Sequence, residues 1–130
     1  MQGMDYQILL VDRELVPAIE FQILSTVMNF DLVHLKNGLE ALNWLSKGNL
    51  PDLIFADSCM DLIKAPKFVS TLKFNGFFAE IPIYAIGWPE ELDVLNHMVK
   101  EGASQYFLKP LSITEIQDHL INDLVQSSVW

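Results

Sequence analysis

Basic residues are scarce: 8 Lys and Arg stand against 17 Asp and Glu, giving a formal net charge of −9 and a pI near 4.5. Neutralising a phosphate backbone takes clustered Lys and Arg, so direct nucleic-acid binding is not expected. Cysteine is nearly absent as well. Cys59 alone allows no intramolecular disulfide and no cysteine-built zinc centre, which fits a reducing compartment and a cytoplasmic location. Long hydrophobic runs are missing: none approaches the ~20 residues that cross a bilayer, and the opening "MQGMDYQ" has no basic segment followed by an apolar core. No membrane partner is expected. What is present, 51% hydrophobic and 19% charged residues in a chain of 130, is the composition of one packed core. Residues 1–130 are therefore read as a single domain with no room for a second.

Short apolar runs recur along the chain: Ile8 to Val11, Leu32 to Leu35, Leu53 to Ala56, Ile83 to Ile86 and Tyr106 to Leu108. Three are unbroken by polar residues, as strands buried on both faces of a parallel sheet are; "LVHL" is the exception and is placed at an edge. Helical patterns fill the gaps. Pro17 marks a helix start, and Val16, Ile19, Ile23, Val27 and Phe30 recur at steps of three or four, predicting that this face is buried. Leu39, Leu42 and Leu45 predict a second helix ending at Gly48, and residues from Ala65 to Phe74 a third ending at Gly76. Pro89, Glu90 and Glu91 open a fourth through Leu92, Leu95 and Val99 to Gly102. Ser112 and Glu115 have capping-box spacing for a fifth, through Ile113, Ile116, Leu120 and Leu124. Five repeats of strand then helix predict an α/β fold: a doubly wound, five-stranded parallel sheet with helices on both faces, a three-layer sandwich.

In such sheets functional groups gather beyond the carboxyl ends of the strands. The first run ends in Asp12, Arg13 and Glu14, the third in Asp57, the fourth in Gly87 and Trp88, and the fifth in Lys109 and Pro110. Carboxylates converging with a lysine suit phosphate or metal chemistry.

These pieces, "ILLVD", "PDLIFAD" and "GASQYFLKP", in this order and from about Gln7 to Gln126, resemble the receiver domain of bacterial response regulators. The resemblance implies a flavodoxin-like strand order and a phosphorelay function, without enzymatic turnover beyond self-phosphorylation and dephosphorylation at Asp57. It implies that Asp57 accepts a phosphoryl group from a histidine kinase or phosphotransfer protein, that Lys109 contacts the phosphate, and that the output protein is a separate chain. Mg²⁺ is implied as cofactor, held mainly by the second of two acids after the first strand, by Asp57 and by the backbone carbonyl of Cys59. Tyr106 matches the family's switch aromatic. The Lys109–Pro110 bond is often cis in the family, and the partner or homodimer face is about Glu90 to Gln126.

The chain also departs from that pattern. Asp12 matches the first acid of the pair, but Arg13 stands at the second. A guanidinium there reverses the local charge, and at about 4 Å with an effective dielectric near 20 each unit charge is worth on the order of 4 kcal/mol. Arg13 is expected to pair with Asp12 or Asp57 in place of the missing cation, with Glu14 and Asp61 as acids near enough to compensate. Gly87 replaces the threonine or serine whose hydroxyl reads the phosphate, leaving Tyr106 without its trigger, and Lys64 and Ala65 replace an acid and a glycine. Restoring Arg13→Asp with Gly87→Thr is expected to recover a response. Trp88 is expected to fill space beside the site, His34, His97 and His119 to lie at the surface or an edge, and Phe74, Phe77 and Phe78 to pack in the core or a loop. Cys59 is read as a small spacer.

The functional reading is a receiver-like domain with weakened Mg-dependent phosphorylation and switching, acting through protein contacts. The alternative is a fully working phosphoacceptor at Asp57. A flavodoxin-like small-ligand binder is remote, because "VDRELVP" offers no Gly, Ser or Thr to cradle a phosphate.

Overall fold

The computed structural model describes residues 6–128, with side chains through residue 122. Strands β1 (Gln7–Val11), β2 (Asp31–Leu35), β3 (Leu53–Asp57), β4 (Ile83–Gly87) and β5 (Gln105–Leu108) alternate with helices α1 (Leu15–Met28), α2 (Gly38–Ser46), α3 (Ala65–Lys73), α4 (Leu92–Lys100) and α5 (Ile113–Ser128). A single 3-10 turn, Pro89–Glu91, leads into α4. All strand pairs are parallel in the order β2-β1-β3-β4-β5. The order reverses on either side of β1, so the loops after β1 and β3 part there and leave a crevice.

Alternation along each strand explains the unbroken apolar runs. Ile8 and Leu10, Leu53 and Phe55, Tyr84 and Ile86 pack with Phe21 and Leu24 of α1 and Ile116 and Leu120 of α5. The intervening Leu9, Val11, Ile54, Ala56, Ile83 and Ala85 pack on the opposite face with Leu45, Phe68, Leu72, Leu95 and Met98 of α2 to α4. Each inner strand thus needs apolar residues at both parities. β2 borders solvent, which accounts for the polar break at His34.

Helix ends follow their caps. Asn37 Oδ1 accepts from the Glu40 N–H at 2.9 Å to start α2, and Ser112 Oγ accepts from the Glu115 N–H at 3.2 Å to start α5. Leu124 lies outside the described side chains.

One predicted face is corrected. On α1 the buried residues are Pro17, Ala18, Phe21, Leu24 and Ser25, whereas Val16, Ile19, Ile23 and Val27, with Leu15, are half exposed or more. The helix is apolar around most of its girth, and the stripe that turns inward is the one carrying Phe21, whose ring lies 4.7 Å from that of Phe55 at a tilt of 56°. Only Phe30 of the predicted face is buried. Phe74 and Phe77 are likewise exposed, and Phe78 alone packs on the core.

Phe55 contacts the rings of Phe21, Tyr84 and Phe107. Phe55→Ala is expected to lower stability by about 3–5 kcal/mol in urea denaturation, while Ile23→Ala, 59% exposed, changes it by no more than about 0.5 kcal/mol. Equal losses would mean the α1 stripe is inward after all.

Candidate functional site

The crevice holds Asp12, one residue past β1, Asp57 at the end of β3, and Lys109, one residue past β5. All are buried, Asp57 and Lys109 each 3% exposed. The Lys109 backbone N–H donates to the Gly87 carbonyl at 2.7 Å, and the bond to Pro110 that follows is cis. Its Nζ lies 2.8 Å from Asp12 Oδ2, 3.0 Å from Asp57 Oδ1 and 2.5 Å from Glu14 Oε1. Burial alone would push the ammonium's pKa down, but the hydrogen bonds it donates to Asp12 and Glu14 and the Asp57 charge outweigh it and raise it.

Asp57 behaves oppositely from an ordinary ion-paired carboxylate. Burial, aided by the Asp12 charge, pushes its pKa up to about 6, against the pull of Lys109 and of the Cys59 N–H. Glu14, half-buried at the rim, is held below the usual carboxylate range chiefly by its bond from Lys109. The Trp88 indole N–H also donates to Glu14, at 3.2 Å, and the ring stands 6.0 Å from Lys109 Nζ. Trp88 and Glu14 thus form one wall of the site.

Arg13 corrects the expected pairing. Its guanidinium reaches neither Asp12 nor Asp57 by a hydrogen bond or salt bridge; Nη1 pairs with Asp61 Oδ1 at 3.4 Å and Nη2 donates to Cys59 Sγ at 3.1 Å. Both partners of that ion pair are more than half exposed. Asp61 therefore does not replace the missing acid. Glu14 does enter the site, because Asp12 Oδ1 accepts from the Glu14 N–H at 2.8 Å, a local turn that points residue 14 inward and leaves residue 13 outside. Cys59, beyond its role as a spacer, accepts from Arg13.

At the end of β4 the sequence shows a gap, and the structure shows it filled. A Cβ on Gly87 would lie 2.3 Å from Ser58 Oγ and 3.1 Å from Ser58 Cβ, so a threonine there meets a neighbour already in place, and Gly87→Thr alone does not restore the family's arrangement. Sequence reasoning missed Ser58. The signal was available in the register: Asp57 pairs with Ile86, so the next residues, Ser58 and Gly87, are neighbours. Tyr106 is half-buried against the α2–α4 side of the core. Lys64 caps α3 without a side-chain bond, and Ala65 is buried. Among the histidines, His97 is exposed beside Glu101 and His119 is half-buried against Phe107. His34, at the β2 edge, hydrogen-bonds the Asp12 carbonyl at 2.6 Å through Nε2.

The donor set fits Mg²⁺. The ion takes oxygen ligands, commonly one or two carboxylates with the remainder water and phosphate. Asp12 is buried, its Oδ2 lies 2.8 Å from Lys109 Nζ, and Asp57 Oδ1 lies 3.0 Å from the same nitrogen, so two carboxylates converge on one point. No three His, Cys, Asp or Glu side chains form a ready metal cluster among the described residues.

The chain matches the sequence profile of the response regulator receiver domain over residues 8–121. It is 28% identical to a probable transcriptional regulator, ycf29, of Pyropia yezoensis over 97% of this chain and 56% of that protein. The chain spans about half the length of the curated relatives it matches. Among solved structures it resembles the chemotaxis response regulator CheY4 of Vibrio cholerae (TM-score 0.81, 18% identity, 92% of this chain and 98% of that one). It also resembles the receiver domain of the sensor histidine kinase PA1611 of Pseudomonas aeruginosa, solved with a magnesium ion in its active-site cleft (TM-score 0.78, 18% identity, 92% of this chain and 95% of that one).

The Asp57 shift fixes a pH dependence. A folded-state pKa near 6 against 3.8 means the native state holds a proton the unfolded chain has released, so stability falls as pH rises from about 4 to 6. Glu14 has the opposite slope, confined to the acid side of that window. Asp57→Asn removes the Asp57 contribution alone and leaves Lys109 its bonds to Asp12 and Glu14. It is expected to stabilise the fold at pH 7 by on the order of 2 kcal/mol, with the gain vanishing near pH 4. Urea midpoints of both proteins across pH 4 to 7 measure this; a pH-independent difference would refute it.

Proposed function

The chain belongs to the response regulator receiver domain family, and we propose that it is an atypical phosphoacceptor: Asp57 takes a phosphoryl group, its Mg²⁺-dependent phosphorylation and switching are weakened, and it acts through protein contacts. The observation that carries this reading is the Lys109 ammonium lying within 3.0 Å of Asp12, Glu14 and Asp57 while Arg13 is drawn off to Asp61. The acceptor, its lysine and an acidic wall persist, and the substituted residue does not block them.

In the proposed transfer an Asp57 carboxylate oxygen forms a bond to phosphorus as the bond from phosphorus to the donor's imidazole nitrogen breaks, leaving an acyl phosphate and a neutralised donor histidine. Lys109 stands where it can follow the negative charge spread over the equatorial oxygens. Mg²⁺, held by Asp12, Asp57 and the Cys59 carbonyl, would screen the repulsion between carboxylate and phosphoryl group. The protein is read as a signalling module whose own chemistry is at most phosphorylation and dephosphorylation at Asp57.

A phosphoryl carrier, a histidine kinase or phosphotransfer protein, needs a surface beside the acceptor. The exposed stripe of α1 supplies one: Leu15, Val16, Ile19, Ile23 and Val27 run from the rim of the site along the helix. A groove of about 390 Å³ lined by Glu14, Leu15, Val16, Trp88 and Lys109 joins that stripe to the crevice. Output through the α4–β5–α5 side, including homodimers there, remains part of the proposal, supported by the half-exposed Leu92, Leu108 and Ile121.

Titrating beryllofluoride with MgCl₂ and following Trp88 emission tests the reading. The expected result is a saturable change in the parent, absent in Asp57→Asn and lost in Trp88→Phe. Silence of the parent, with the fold intact by circular dichroism, would overturn the acceptor role in favour of a module held closed by Lys109.

A further inference from the structure

Position 87 lacks the hydroxyl through which a receiver reads its phosphate, yet a hydroxyl is present within the same few cubic ångströms. By strand alternation Ser58 and Gly87 both fall on the face covered by α4, and a Cβ on Gly87 would also meet Leu95 Cδ2 of that helix at 3.2 Å. Ser58 is buried, and its N–H donates to the Ile86 carbonyl at 2.8 Å, so the β3–β4 ladder continues through it and its backbone is fixed. The side chain is not. Among the described residues its Oγ has only a long contact, 3.5 Å, to Glu91 Oε1 in the 3-10 turn that opens α4. A buried hydroxyl with one weak acceptor, on a single rotatable bond of the residue that follows Asp57, can exchange that acceptor for a stronger one.

We propose that Ser58 supplies, from β3, the switch hydroxyl that glycine at position 87 cannot. When an anion is attached at Asp57, the Ser58 hydroxyl turns from Glu91 and donates to an anion oxygen. Glu91 loses its tie to β3 and carries the change into the turn and α4. Gly87 is the enabling half of the pair: any side chain there would occupy the volume in which Ser58 sits. The output path thus starts from β3 and passes directly to Glu91. This inference rests on the acceptor reading of Asp57.

The test is a beryllofluoride titration with MgCl₂ read two ways, by Trp88 emission for binding and by the amide resonances of Glu91 to Leu95 for the switch. In the parent both respond. Ser58→Ala, which only removes an atom, is expected to raise the binding midpoint about tenfold, the loss of one hydrogen bond to a charged group, and to leave the α4 amides unmoved. Ser58→Gly combined with Gly87→Ser returns the hydroxyl from the other strand and is expected to restore both signals, whereas Gly87→Ser alone destabilises the fold. A Ser58→Ala protein that keeps the parent's binding midpoint and the parent's α4 amide response would overturn the Ser58 role while leaving Asp57 as acceptor. A parent that does not respond at all would overturn the acceptor reading, and this inference with it.

Discussion

The interaction on which the site depends is the ammonium of Lys109 held out of water among carboxylates. Taking an ammonium into a protein interior costs several kcal/mol unless it is paired and fully bonded. Asp12, Glu14 and Asp57 do both, at 2.5 to 3.0 Å. The dependence is mutual. Without Lys109, Asp12 and Asp57 would be buried like charges, and the raised pKa of Asp57 shows that even with Lys109 present the carboxylate is only partly compensated. The arrangement also constrains the fold: one acid follows β1, the other ends β3, and the lysine follows β5, so three strand ends must meet. Parallel pairing in the order β2-β1-β3-β4-β5 brings them to one edge, and the Lys109 N–H bond to the Gly87 carbonyl sets the depth.

The same electrostatics account for Arg13. A second cation inside the crevice would face Lys109, whose charge already serves both buried acids, and would lose its own hydration. At the rim the guanidinium keeps water and gains Asp61, an exposed pair of small worth. The small gain decides the matter because the inward alternative adds desolvation and repulsion. Arg13 therefore marks the boundary of the site, next to Cys59, and the acid lost at that position does not leave a guanidinium in the cation's place.

Much of this was legible in the sequence. Buried parallel strands read as apolar runs because both parities face helices, and the groups that follow such runs must sit at one end of the sheet, which placed Asp12, Asp57 and Lys109. Two features resisted. On α1, apolar residues occupy both faces, so periodicity offers two stripes, Val16-Ile19-Ile23-Val27 and Ala18-Phe21-Leu24, and only the shape of the opposing sheet around Phe55 chooses between them. The partners of Arg13 are 46 and 48 residues away, in a loop whose course no local pattern specifies.

The two departures from the family's pattern share a physical form. At position 13 the acid is gone, and a carboxylate enters from position 14 because the Asp12 side chain bonds the Glu14 N–H and turns the chain by one residue. At position 87 the hydroxyl is gone, and Ser58 occupies its space from the adjacent strand. Charge and hydrogen bonding act at points in space, and where strands end several residues lie within a side chain's length of the same point. Comparing the chain with its family position by position therefore overstates what the site has lost. A substituted residue removes a function only when no neighbour can reach the vacated volume with the same chemical group. The glycine at 87 illustrates the converse as well: its missing side chain is the condition under which Ser58 fits, so the two residues form one unit, and changing either alone breaks an arrangement that changing both can preserve.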